Sequence, residues 1–151
     1  MSRNHSRAEF ERHCEERELV PFYSEPHELF LDIDMPMPKY GSSVWASQTN
    51  RIEDALRKTL GIEVIGTLPT TSKSGNTHLY YALNISLPEI ERLLIQACMG
   101  SDPMKEFLSL HRLHIDGEYV SALAETHPAA ITVNQWRLEM TNLRKTLGYA
   151  V

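Results

Sequence analysis

The sequence predicts one α+β domain, a mostly antiparallel sheet packed with helices, and three features of the chain carry that expectation. Apolar side chains alternate along Glu28-Leu29-Phe30-Leu31-Asp32-Ile33-Asp34, the period of a strand. Ser74-Gly75-Asn76 separates two extended stretches, 62–68 and 77–83, as a hairpin turn does. Apolar stripes at helical spacing recur in 52–60, 90–98 and 136–147. With 151 residues the chain is long enough for one real core and short for two.

Composition narrows the function classes. A net charge of −5 argues against a basic surface that coats nucleic acid, because non-specific affinity comes mostly from Lys and Arg neutralising phosphates. An enzyme acting on nucleotides is not excluded, since a bound metal reverses the local field of an acidic site. No uninterrupted apolar run suggests a membrane span or a signal peptide, so the expected compartment is the cytoplasm, with no membrane partner. Cys14 and Cys98 lack the paired spacing of a zinc site and read as free thiols.

In chain order, residues 6–19 form a charged helix with a thin apolar stripe, Phe10 and Cys14, and Leu19 beyond it. Pro21 and Pro26 bracket an irregular connection, with His27 at the surface. The strand 28–34 follows. Leu29, Leu31 and Ile33 point into a core, and Phe30, Asp32 and Asp34 line the opposite side. Asp32 and Asp34 stand roughly 7 Å apart at their Cα atoms and repel unless a cation such as Mg²⁺ or Mn²⁺ joins them; the bland alternative is a strand ending at a solvated edge. Pro36, Pro38 and Gly41-Ser42-Ser43 predict an irregular loop, either over a ligand or a plain crossover.

Asn50 and Glu53 form a capping box for a helix with Ile52, Ala55, Leu56 and Leu60 on one face, ended by Gly61. The strand 62–68 carries Gly66 as a bulge signal. Lys73, Ser74, Asn76 and His78 either present amides, hydroxyls, a cation and an imidazole to a phosphate or are simple turn chemistry. His78, Tyr80 and Ala82 share one face of the next strand; Leu79, Tyr81 and Leu83 share the other. Ser86 to Glu89 reads as a capping box for a helix whose stripe is Ile90, Leu93, Leu94, Ala97 and Cys98, closed by Gly100. Asp102-Pro103 caps another helix, through Met104, Phe107, Leu108 and His111. Asp116-Gly117 is a tight-turn signal between short extended pieces at 114–120. A final helix over 133–147 carries Trp136, Met140, Leu143 and Leu147 along one side, with Gly148 after it; sheet packing is the ordinary explanation and a dimer seam the other.

Set side by side, Leu29-Phe30-Leu31-Asp32-Ile33-Asp34 and Asn76-Thr77-His78 resemble two motifs of the archaeo-eukaryotic primase and primase-polymerase superfamily. These are a hydrophobic strand bearing Asp-x-Asp, and a later strand beginning small-x-His. The resemblance covers about residues 28–116, within a core of 28–124. It implies an RRM-like sheet and a two-metal nucleotidyl-transfer site for Mg²⁺ or Mn²⁺. Asp32 and Asp34 would hold the metals and His78 the phosphates of an incoming nucleotide. The third acid of that pattern is Asp102 or Asp116. Asp102 is favoured, because Ser-Lys-Ser-Gly-Asn-x-His followed by Met-Gly-Ser-Asp-Pro is also similar to small phage-encoded proteins. That assignment adds Asp102 to the metal set and Arg112, on the helix after it, to the substrate-binding set with Lys73, Ser74, Asn76 and His78.

Two function classes follow. The first is metal-dependent nucleotidyl or phosphoryl transfer, with a nucleoside triphosphate and nucleic acid as partners; hydrolysis differs only in using water as nucleophile. The second is a non-catalytic phage-type factor that engages a host protein or nucleic acid.

Overall fold

The structure is a computed structural model that describes residues 7–116 and 121–150, with backbone alone at 115 and 116. Along the chain run α1 (Arg7–Glu16), β1 (Val20–Tyr23), β2 (Glu28–Ile33), α2 (Met37–Gly41) and α3 (Val44–Ala55), which a π-helical turn extends over Leu56–Leu60. There follow β3 (Val64–Thr71), β4 (Thr77–Leu83), α4 (Glu89–Cys98), α5 (Pro103–Asp116), β5 (Ala122–Glu125) and α6 (His127–Leu147). The result is a single α+β domain whose strand pairings are all antiparallel: a three-stranded sheet in the order β2-β4-β3 and a two-stranded sheet of β1 and β5.

The period of two along β2 and β4 sorts their side chains onto two cores. Leu29, Leu31, Ile33, Leu79, Tyr81 and Leu83 pack on one face with Leu56, Leu87 and Met99. Phe30, Tyr80 and Ala82 pack on the other with Phe22, Leu123, Val133 and Trp136. The Phe30 and Tyr80 rings meet edge to face at 4.7 Å. Because both faces are covered, every residue of β4 is buried. Past the apolar stretch, the second face continues into Asp32 and His78, which stand opposite each other in the register.

Among the described residues the outer edge of β2 has no strand beside it, and an unpaired edge inside a protein needs other partners for its backbone groups. The α4–α5 corner supplies them. Gln96 Oε1 accepts from Phe30 N at 3.0 Å, and Ser101 Oγ accepts from Asp32 N at 3.0 Å. Lys105 Nζ donates to Phe30 O at 2.9 Å, and Asp102 N donates to Asp32 O at 2.7 Å. Asp102 is therefore brought beside Asp32 by backbone hydrogen bonding.

Several sequence expectations are met and several are corrected. Gly66 sits at a register shift in β3, and Gly61 and Gly148 end their helices in the left-handed conformation. Asn50, however, is an exposed mid-helix residue: α3 begins at Val44, capped by Ser43 Oγ accepting from Ala46 N, so the Asn50–Glu53 pair caps nothing. Leu60 faces solvent at 63% exposure. The 35–43 segment contains the short helix α2, because Pro36 and Pro38 occupy its N-cap and first turn, where a missing N–H costs nothing. Val20–Tyr23 is a strand rather than an irregular connection; it lies beside a single partner, where Pro21 is tolerated.

In α4 the N-cap is Pro88, with no side-chain cap from Ser86, and the buried face carries Arg92, Leu93 and Gln96 while Ile90, Leu94 and Cys98 are exposed. The polar pair turns inward because it has backbone to satisfy. Arg92 donates to Ser24 Oγ and Glu25 O, as Gln96 accepts from Phe30 N. His27 is half-buried, and burial, ahead of the Arg144 charge, holds its imidazole below the usual value. Residues 114–116 belong to α5 instead of an extended piece, and 117–120 lie outside the described residues, as does Ser6. The last helix starts at His127, earlier than 133, capped by Thr126 Oγ1.

Candidate functional site

Asp32 is the last polar residue before β2 ends, and its carboxylate is 31% exposed at the floor of a cavity of about 470 Å³. Asp34, Lys73, Ser74, Asn76, His78, Asp102 and Arg112 line the same cavity, so all eight residues singled out from the sequence are brought together. Asp116 ends α5, about 20 Å along the helix from Asp102 at 1.5 Å per residue, and its side chain lies outside the described residues.

The lining carries both signs of charge. Three carboxylates, Asp32, Asp34 and Asp102, belong to it. Asp34 Oδ1 accepts from Asn76 Nδ2 at 2.8 Å, which ties the end of β2 to the β3–β4 turn. Asp102 Oδ1 accepts from Met104 N at 3.1 Å, capping α5 as the sequence indicated. The Ser72–Asn76 turn is closed by Gly75 N donating to Ser72 O and Asn76 N donating to Ser72 Oγ. It holds Lys73 out, with Nζ donating to Arg17 O at 2.9 Å. Phe10, Leu19 and Leu108 add an apolar flank contributed by α1, the segment after it and α5.

Asp32 sits at the electrostatic centre. Burial raises its carboxyl above the ordinary value; the His78 and Lys105 charges oppose that rise, and Asp102 and Asp34 reinforce it. His78 Nε2 lies 3.7 Å from Asp32 Oδ1, while Nδ1 meets Glu125 Oε1. Lys105 Nζ, only 10% exposed at its side chain, is held by Phe30 O, by Glu106 Oε1 at 2.8 Å and by Ser121 Oγ at 3.2 Å.

The donor set tests the fit of a cation. Three oxygen-only ligands, one of them desolvated and repelled by the other two, suit Mg²⁺ or Mn²⁺. Mg²⁺ is commonly held by one or two carboxylates, with waters and substrate phosphates completing its shell. Among the described residues no three His, Cys, Asp or Glu side chains are gathered closely enough to hold an ion by themselves. The fit is therefore to a hydrated ion shared between carboxylates and a ligand.

Sequence reasoning missed Glu125, Lys105 and Arg17. For Glu125 a signal existed: Ser121-Ala-Leu-Ala-Glu125 alternates like a strand, placing Leu123 and Glu125 on one face. Lys105 and Arg17 carry no local signal, since their places depend on the β2 edge and on the position of α1.

No family model matches the chain, and no curated protein and no solved structure matches it either. Among the described residues no helix is long and apolar enough to cross a membrane.

Proposed function

We propose that this protein carries out metal-dependent nucleotidyl or phosphoryl transfer on nucleotides or nucleic acid, in the manner of a minimal primase-polymerase. One observation carries the reading: carboxylates and phosphate-type donors line one cavity together, at the volume expected of a small-molecule site. Asp32 and Asp34, with Asp102 as third acid, would hold Mg²⁺ or Mn²⁺. The cation, when bound, supplies charge neutralisation for the attacking and leaving oxygens. Lys73, Ser74, Asn76 and Arg112 bind and orient the triphosphate, and His78 faces it from the floor. The apolar flank at Phe10, Leu19 and Leu108 excludes water from one side.

Isothermal titration of a nucleoside triphosphate with Mn²⁺ tests this. Wild type is expected to bind, and Asp34→Asn to bind at least 10-fold more weakly; metal-independent folding with no nucleotide binding by the wild type sinks it. The second reading, a non-catalytic factor engaging a host protein or nucleic acid, is favoured by the acidic balance of the chain, a net charge of −5. It requires Asp32→Asn and Asp34→Asn to leave activity in the cell intact.

A further inference from the structure

Behind the cavity floor stands a carboxylate that the proposed chemistry does not use. Glu125, the last residue of β5, is fully buried. Burying a carboxylate is costly unless it is paired and hydrogen-bonded, and an apolar side chain would fill the same space without that cost. Its pairing is with His78: Oε1 meets Nδ1 across the gap between the two sheets. The imidazole is held from behind by β5 while its other nitrogen looks toward Asp32.

We infer that Glu125 is a positioning residue for His78, fixing which ring nitrogen the cavity receives. A carboxylate oxygen paired with a ring nitrogen accepts, so the pairing puts the shared proton on Nδ1. Nε2 is thereby turned to the cavity in a single orientation, the logic by which a carboxylate orients an imidazole in metal and nucleophile sites. A second observation places Tyr80 in the same unit. Among the described residues, Glu125 Oε2 and the Tyr80 hydroxyl are both buried and within no well-aligned hydrogen bond. Tyr80 lies two residues after His78 on the same face of β4. Burial first, and then the Glu125 charge, raise that hydroxyl well above its ordinary value, so it remains a donor close to the Glu125 carboxylate. That Nε2 donates to a phosphoryl oxygen, for which it must carry a proton as well as Nδ1, rests on the proposed function; that Glu125 sets the ring does not.

Two measurements on the full chain separate the points. Long-range proton–nitrogen correlation spectra of the ligand-free wild type near neutral pH are expected to show the His78 proton on Nδ1, a state lost in Glu125→Leu. Calorimetry is expected to show Mn²⁺ alone binding Glu125→Leu as it binds wild type, with Mn²⁺-nucleoside triphosphate weakened about 10- to 100-fold, the range for losing an orienting partner. A wild-type spectrum with Nδ1 bare overturns the inference, and so does Glu125→Leu retaining both the Nδ1 proton and wild-type nucleotide affinity. The wild-type spectrum requires no variant, so a Glu125→Leu chain that fails to fold does not shelter the idea. If wild type binds no nucleotide, the proposed function falls and the spectra still decide the role of Glu125.

Discussion

Replacing Lys105 with methionine tests the coupling between the β2 edge and the cavity. The ammonium is almost buried and donates to Phe30 O, Glu106 Oε1 and Ser121 Oγ. Methionine fills the space but leaves the Phe30 carbonyl unpartnered and the Glu106 carboxylate without its cation, although Ser101 Oγ and Gln96 Nε2 still donate to it. Breaking a buried pair from one side costs about 3–5 kcal/mol. For a chain of 151 residues, an unfolding entropy of about 2.1 cal/mol/K per residue turns that into a Tm lower by roughly 10–15 °C. Scanning calorimetry reads it, and the Lys105→Met, Glu106→Gln double variant is expected to be more stable than Lys105→Met alone, because no carboxylate is then buried there without its cation. A fall of less than roughly 3 °C, the scale of an exposed ion pair, would refute the reasoning. The site responds too. Lys105 is one of the charges holding the Asp32 carboxyl down, so its loss moves the onset of Mn²⁺ binding to higher pH.

Three further outcomes are expected. The Asp32 carboxyl is raised in the folded state, chiefly by burial, so the stability it contributes is present below its unfolded value of 3.8 and lost as pH rises through the folded one. In chelator, Asp32→Asn should therefore match or exceed wild type in urea midpoint at neutral pH, with the gap closing in acid; a wild type that gains on Asp32→Asn as pH rises contradicts this. Gln96→Leu orphans the Phe30 N–H and should cost about 2–3 kcal/mol, with faster hydrogen exchange at that amide. Ser43→Ala should cost about 1 kcal/mol in chemical denaturation, whereas Asn50→Ala at an exposed mid-helix site should cost nothing, the reverse of the capping-box expectation.

What was legible in the chain was local. Alternation on 28–34 and 77–83 predicted which side chains share a face, and the two cores divide them that way. The hairpin turn and the glycine helix ends also follow from short-range conformational preference. Misreadings came where a distant partner outweighed local pattern. The apolar stripe of α4 predicted Leu94 and Cys98 inside, but Gln96 and Arg92 have backbone groups of β2 and the 24–25 segment to satisfy, and they set the rotation of the helix. Val20–Tyr23, interrupted by proline, becomes a strand only because β5 lies beside it from a hundred residues away.

The amino-acid sequence by itself determined the α+β class, the antiparallel hairpin and the acidic and imidazole-bearing strands, because periodicity and turn chemistry act over a few residues. Only the tertiary structure decided that Asp102 stands beside Asp32, and that Lys105 and Glu125 reach the same place from behind. Those positions follow from hydrogen bonds that an unpaired strand edge and a buried imidazole must find somewhere, and nothing within a few residues of either says where.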